Sequence, residues 1–147
     1  MTPKQRAERS AEEMWSKDQA SGWAGVELIS VDEGTATMAL TVEKHHCNGH
    51  SMCHGGVTFL LADSTFAFAC NSRNQITLGQ HTAISFLAPG NLGDRLVATA
   101  TEVNRAGRNG IYDVRVVNQE NLVIAEFRGA SREIKGLHFD EPQGESV

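Results

Sequence analysis

The sequence predicts an α+β fold in which an antiparallel sheet curls around one central buried helix. Three observations lead there. From Gly55 to Cys70 the chain is almost entirely Gly, Ala, Val, Leu, Phe and small hydroxyl residues, the composition of a helix covered on every side. After it come about four runs of strand character, separated by turn residues. Before it, two more strand-like runs meet at Asp32-Glu33-Gly34. A buried helix flanked by antiparallel strands has to be wrapped by the sheet they form.

The first element is an N-terminal helical segment, residues 1–20, in which Pro3 to Ala20 read as an amphipathic helix with charged residues around Ala11, Met14 and Trp15. Val26 to Val31 and Thr35 to Val42 follow as a hairpin; in the second run Ala36, Met38, Leu40 and Val42 share one face. Glu43 to Cys53 is a polar loop. The apolar helix ends near Asn71-Ser72, asparagine being a suitable C-terminal residue. Ile76 to Ala88 is a strand stopped by Pro89-Gly90, and Leu96 to Val103 alternates valines with threonines and alanines. Ile111 to Val117 and Leu122 to Arg132 flank a turn at Asn118-Gln119-Glu120-Asn121. The tail, residues 136–147, contains Gly, Glu and Pro and is expected to fray.

At 147 residues the chain is expected to be one domain with one core. Its net charge of −5 and lack of a basic stripe argue against a nucleic-acid partner. No run approaches a membrane span, and the N-terminus is charged where a signal peptide would be apolar. Three cysteines, an odd number, are then most simply reduced thiols in a cytoplasmic protein.

Asp63 is the residue that asks for an explanation. It is the lone carboxylate of the apolar helix, and no Lys or Arg lies between Cys47 and Ser72 to pair with it. Burying it costs free energy that only a wet surface or a chemical role would justify. Gly55 and Gly56, preceded by His54, open the same helix where backbone N–H groups are unpaired and the dipole is positive. Glycine there admits a close approach to the backbone.

Asn48-Gly49-His50, Cys53-His54-Gly55-Gly56, Leu61-Ala62-Asp63 and Ala67-Phe68-Ala69-Cys70-Asn71-Ser72 together resemble the phenylacetate-pathway acyl-CoA thioesterases of the hotdog fold. The likeness continues in Phe86-Leu87-Ala88-Pro89-Gly90, Tyr112-Asp113-Val114, Val117-Asn118-Gln119 and Phe127-Arg128-Gly129. What it implies is hydrolysis of phenylacetyl-CoA or a hydroxylated relative, without metal or redox cofactor. The resemblance also implies a homodimer sharing active sites and assembled into a homotetramer. Other aryl or medium-chain acyl-CoAs, and a non-catalytic acyl-CoA binder on the same scaffold, remain as alternatives.

Thioester hydrolysis needs stabilisation of charge on the carbonyl oxygen and a group that is, or activates, the nucleophile. Gly55 is the candidate oxyanion donor, unless the helix start simply needs a flexible residue. Asp63 is the candidate nucleophile or general base, and the sequence leaves both routes open. The resemblance places Asn48 and His54 nearby: Asn48 would order water or the carboxylate, and His54 would fix the loop or the substrate carbonyl. Without it, Asn48 reads as a turn residue and His54 as a helix-start residue.

A zinc site is the rival for the loop, because His45, His46, His50, His54, Cys47 and Cys53 cluster there. The spacing lacks a Cys-x-x-Cys pair or a second ligand pair downstream, so no metal is assigned. Coenzyme A carries phosphates, and an acidic protein needs a local cationic patch for them. Arg105, Gly107, Arg108 and Asn109, in a Gly-rich turn between strands, are the candidates; an ordinary solvated hairpin is the alternative. Lys135 is a weaker one. Phe59, Phe66 and Phe68 could line an acyl pocket or be plain core.

Overall fold

Gly34, at φ 76°, turns the chain between the first two strands, β1 (Glu27–Asp32) and β2 (Thr35–Thr41), at the expected Asp32-Glu33-Gly34 corner. The structure is a computed structural model describing residues 1–142. Two helices precede this hairpin, α1 (Pro3–Trp15) and α2 (Gln19–Ala24). A short 3-10 turn, Lys44–His46, interrupts the loop before α3 (Gly55–Cys70). Four strands complete the chain: β3 (Thr77–Phe86), β4 (Arg95–Ala106), β5 (Asn109–Val117) and β6 (Val123–Glu133).

All six strands form one antiparallel sheet in the order β1-β2-β4-β5-β6-β3. The chain leaves β2, lays α3 across the sheet, and returns β3 to the far edge. Helix α3 packs against β2, β4 and β5, with contacts reaching β3 and β6, so the sheet wraps it. Leu61, Ala62, Phe66 and Ala69 are buried in that contact. The fit is tight at Phe66: a Cβ on Gly129 of β6 would lie 2.7 Å from its ring, which is why a strand interior tolerates glycine there.

Asn71 fastens the other end of α3. Its Nδ2 donates to the Ala67 and Thr77 carbonyls, and its Oδ1 accepts from the Thr77 N–H. The bond geometry thereby sets where β3 begins relative to the helix.

Two expectations at the chain ends need correction. The N-terminal segment is not one helix to Ala20. Asp18 accepts from the Ser21 N–H at 2.9 Å and the Ser21 hydroxyl at 2.7 Å, which starts a second helix. The new direction brings Ser21 Oγ to 2.9 Å from Ser64 on α3. The tail is also packed further than composition suggests. His138 and Phe139 each donate a backbone N–H to Asn74 Oδ1, and Phe139 is buried. The remainder of the expected fraying tail, residues 143–147, lies outside the described residues.

A third correction concerns α3 itself. Its own chain does not cover it all round. Gly56, Leu60, Asp63 and Ala67 form a stripe left half-buried or exposed. The sheet covers one side and α2 reaches Ser64, so among the described residues this stripe is only partly covered.

Candidate active site

The start of α3 and the loop before it build one cavity of about 360 Å³, bordered by Asn48, Met52, Cys53, Gly55, Thr58 and Phe86 among others. His54 is the N-cap: its Nδ1 accepts from the Gly56 N–H at 2.8 Å, and its carbonyl accepts from Val57 and Thr58. Gly56 is therefore spoken for. The Gly55 N–H has no protein acceptor among the described residues and lies at the positive end of the helix. That is the geometry of an anion-stabilising donor. The Phe86 ring lies so close that a Cβ on Gly55 would meet it at 3.1 Å.

Asn48 organises the loop rather than merely turning it. Its Oδ1 accepts from the His50 and Met52 N–H groups at 2.9 and 3.3 Å, which leaves Nδ2 as donor for another partner. His54 stands beside this cavity, but its Nδ1 is spent on the cap. Of the roles open to it, holding the loop and helix start is the one its bonds support.

Asp63 lies elsewhere, in a second cavity of about 360 Å³ bordered by Met14, Phe66, Asn71, Ile76, Leu78 and His138 among others. No hydrogen bond or cation reaches its carboxylate among the described residues, and burial pushes its pKa above the ordinary aspartate range. Asp63 and Gly55 are eight residues apart on one helix, about 12 Å at 1.5 Å per residue. The Gly55 N–H and the Asp63 carboxylate of a single chain therefore cannot reach the same small group.

Arg105, Gly107, Arg108 and Asn109 sit at the β4–β5 turn, at the end of the sheet where β3 begins. Asn109 pairs with Arg132, and Thr77 with Glu133. Phe86, beside Gly55, is nine strand residues from Thr77, about 30 Å away. Arg105 already pairs with Glu133 at 2.9 Å and lies 3.7 Å from Glu102. Arg108 has no ion pair among the described residues, and Arg132 and Lys135 stand exposed nearby.

In the His/Cys-rich loop, Glu43, His45 and His46 come together. Buried His46 uses both ring nitrogens, Nδ1 accepting from the Glu43 N–H and Nε2 donating to the Ala24 carbonyl at 2.6 Å. No lone pair is left for a metal, and the ring serves as a brace between loop and α2.

The thioesterase superfamily pattern matches residues 50–125, which include Gly55 and Asp63. The chain belongs to the thioesterase superfamily. Acyl-coenzyme A thioesterase PaaI of Escherichia coli (strain K12) is 41% identical over 131 residues, 89% of this chain and 94% of that protein. A putative esterase of Archaeoglobus fulgidus is 34% identical, covering 85% and 81%. The solved E. coli PaaI protein, from the phenylacetic acid degradation operon, superposes with TM-score 0.91 at 40% identity, covering 92% of this chain and 99% of the other. The sheet around α3 is thus the hotdog fold.

Sequence reasoning did not find several residues that border the two cavities of this thioesterase. Thr58 and Phe86 at the first, and Met14, Asn71, Ile76 and His138 at the second, come from five separate stretches of chain. Of these, only Phe86 and Asn71 stood in segments that carried the resemblance. Phe66 and Phe68 are buried core, Phe68 packing 6.1 Å from Trp15, although Phe66 also borders the Asp63 cavity. Among the described residues no helix is long and apolar enough to cross a membrane.

Proposed function

We propose that this thioesterase hydrolyses acyl-CoA thioesters, with phenylacetyl-CoA or its hydroxylated relatives as substrate, in a homodimer that shares two active sites. One observation carries this reading. Each chain presents two half-sites on α3, a Gly55 N–H without an acceptor and an Asp63 without a partner among the described residues, joined by a partly covered stripe. A second α3 running antiparallel across a two-fold axis would cover the stripe and bring Gly55 of each chain to Asp63 of the other. Strand β3 supports the same pairing: it is a sheet edge, with exposed Leu78 and Phe86. The homotetramer would be two such dimers. The likeness to E. coli acyl-coenzyme A thioesterase PaaI supports the substrate class.

The chemistry follows from the two groups. The thioester carbonyl oxygen accepts from the Gly55 N–H, which becomes a stronger partner as negative charge develops there. Asp63 either attacks the carbonyl carbon to give a mixed anhydride, later hydrolysed, or takes a proton from an attacking water. Coenzyme A leaves as the thiolate, a good leaving group, so no metal or redox cofactor is needed. Asn48 Nδ2 is available to hold water or the carboxylate. The cytoplasm, where acyl-CoA and reduced thiols occur, is the compartment this chemistry suits.

The test is a thiol-release assay across a panel of acyl-CoAs in the presence of a chelator. Turnover is expected, highest for the phenylacetyl and hydroxyphenylacetyl thioesters. A preference for medium-chain or other aryl groups would change the substrate, and binding without turnover would make the protein an acyl-CoA binder.

Antiparallel α3 helices would also carry each chain's β4–β5 turn toward the partner's Gly55, where the coenzyme would leave the site. We expect Arg108→Ala to raise KM several-fold with kcat little changed, the mark of lost uniform binding. Arg105→Ala should do less, because Glu133 and Glu102 already engage that guanidinium. Both effects should shrink for a pantetheine thioester lacking the nucleotide. Equal losses on the two substrates would remove the arginines from the coenzyme site.

A further inference from the structure

Cys47 and Cys53 face one another across the loop that carries Asn48, as an isolated antiparallel bridge. Two bonds define the kind of pair. Asn48 N–H donates to the Met52 carbonyl at 2.8 Å, and His54 N–H donates to the His46 carbonyl at 2.8 Å. The bonds flank the cysteines, so the two residues are a non-hydrogen-bonded pair. Such pairs bring Cα atoms to about 4.5 Å with side chains on the same face. That lies within the Cα separations of about 4.4–6.8 Å that disulfides span. Both thiols are free in this structure.

We infer that Cys47 and Cys53 form a thiol–disulfide exchange site, taking small-molecule disulfides as co-reactant, whose oxidation state is read by the adjacent catalytic cavity. Cys47 is half-exposed and meets the co-reactant; Cys53 is buried and resolves the intermediate. The Cys47 thiolate attacks one sulfur of the disulfide, forming a mixed disulfide and releasing the first small thiolate. The Cys53 thiolate then attacks the Cys47 sulfur, forming the intramolecular bond and releasing the second. The protein loses two electrons and the two thiol protons; the small disulfide takes both pairs up as two thiols.

The consequence at the cavity is geometric. Cys53 borders it, with the Thr58 hydroxyl 3.6 Å from its sulfur and its Cβ held against Gly90. Turning that sulfur to Cys47 removes it from Thr58 and closes the loop between them into a ring. Asn48 follows Cys47 directly, and Gly55 is two residues past Cys53. The third cysteine does not compete: Cys70 is buried at the far end of α3, outside this loop and its cavity. The exchange chemistry stands on loop geometry alone, whereas its effect on turnover rests on the thioesterase reading of Asn48 and Gly55.

The test is incubation of the whole protein with oxidised glutathione, non-reducing peptide mapping, and thioester turnover before and after. A Cys47–Cys53 disulfide is expected, with turnover lowered several-fold and restored by a dithiol reductant. Cys47→Ser should keep full basal turnover and lose the sensitivity, while Cys70→Ala should keep it. A glutathione adduct that persists on Cys47 without the internal disulfide would overturn the inference. So would a mapped disulfide that leaves turnover unchanged. Failure of turnover in the reduced protein would instead count against the thioesterase reading, and the peptide map would still decide the exchange site.

Discussion

Asp63→Asn should leave the protein folded and lower kcat by about a thousand-fold or more, about 4 kcal/mol of transition-state stabilisation. The amide is nearly isosteric but is neither a base nor a carboxylate nucleophile. Acyl-CoA binding, measured by calorimetry, should be largely retained. The same variant should be more stable than the parent at neutral pH. Burial within its own chain raises the Asp63 pKa above 3.8, with no compensating partner among the described residues, so the folded chain prefers the neutral acid. As pH rises through 3.8 toward the raised folded value, the charged form is increasingly favoured in the unfolded chain, and stability is lost. Asparagine carries no such penalty. Its melting advantage should therefore be present at neutral pH and vanish below the ordinary aspartate range. In the parent enzyme, the acid limb of kcat/KM should lie above that range too. A folded Asp63→Asn protein with near-parental turnover would end the catalytic assignment.

Mixing two inactive variants should restore activity. Asp63→Ala removes the carboxylate, and Gly55→Pro removes the free N–H at a position where proline can start a helix. Each homodimer would lack one half of both its sites. A mixed dimer would have one doubly broken site and one intact site. Random pairing makes about half the dimers mixed, so refolding the two together should recover roughly a quarter of parental activity. Proline at 55 also presses on Phe86, since even a Cβ there lies 3.1 Å from the ring. Gly55→Ala, which keeps the N–H, separates crowding from loss of the donor and should retain most turnover. A silent mixture with confirmed heterodimers would show that one of these residues has been given the wrong role.

The sequence by itself determined the elements around the site, because those signals are local. The length and composition of Gly55–Cys70 matched α3, and turn residues marked each strand to within about two positions at most ends. Candidate residues were legible wherever chemistry conflicted with surroundings, as with Asp63, or where glycine marked close approach, as at Gly55. Tertiary structure alone decided the rest. Composition could not reveal that β3 crosses to the far edge beside β6, because strand order depends on contacts distant in sequence. Nor could it show that one stripe of α3 stays only half-buried among the described residues, since composition does not say which face of an apolar helix its own sheet covers. His138 was hidden in a tail that packs because Asn74, Gln75 and Ile76 engage its backbone and Asn71 the histidine ring. His46 looked like a metal ligand until both ring nitrogens proved engaged. Residue type declares what a side chain can bond; only the fold brings the partner that uses it.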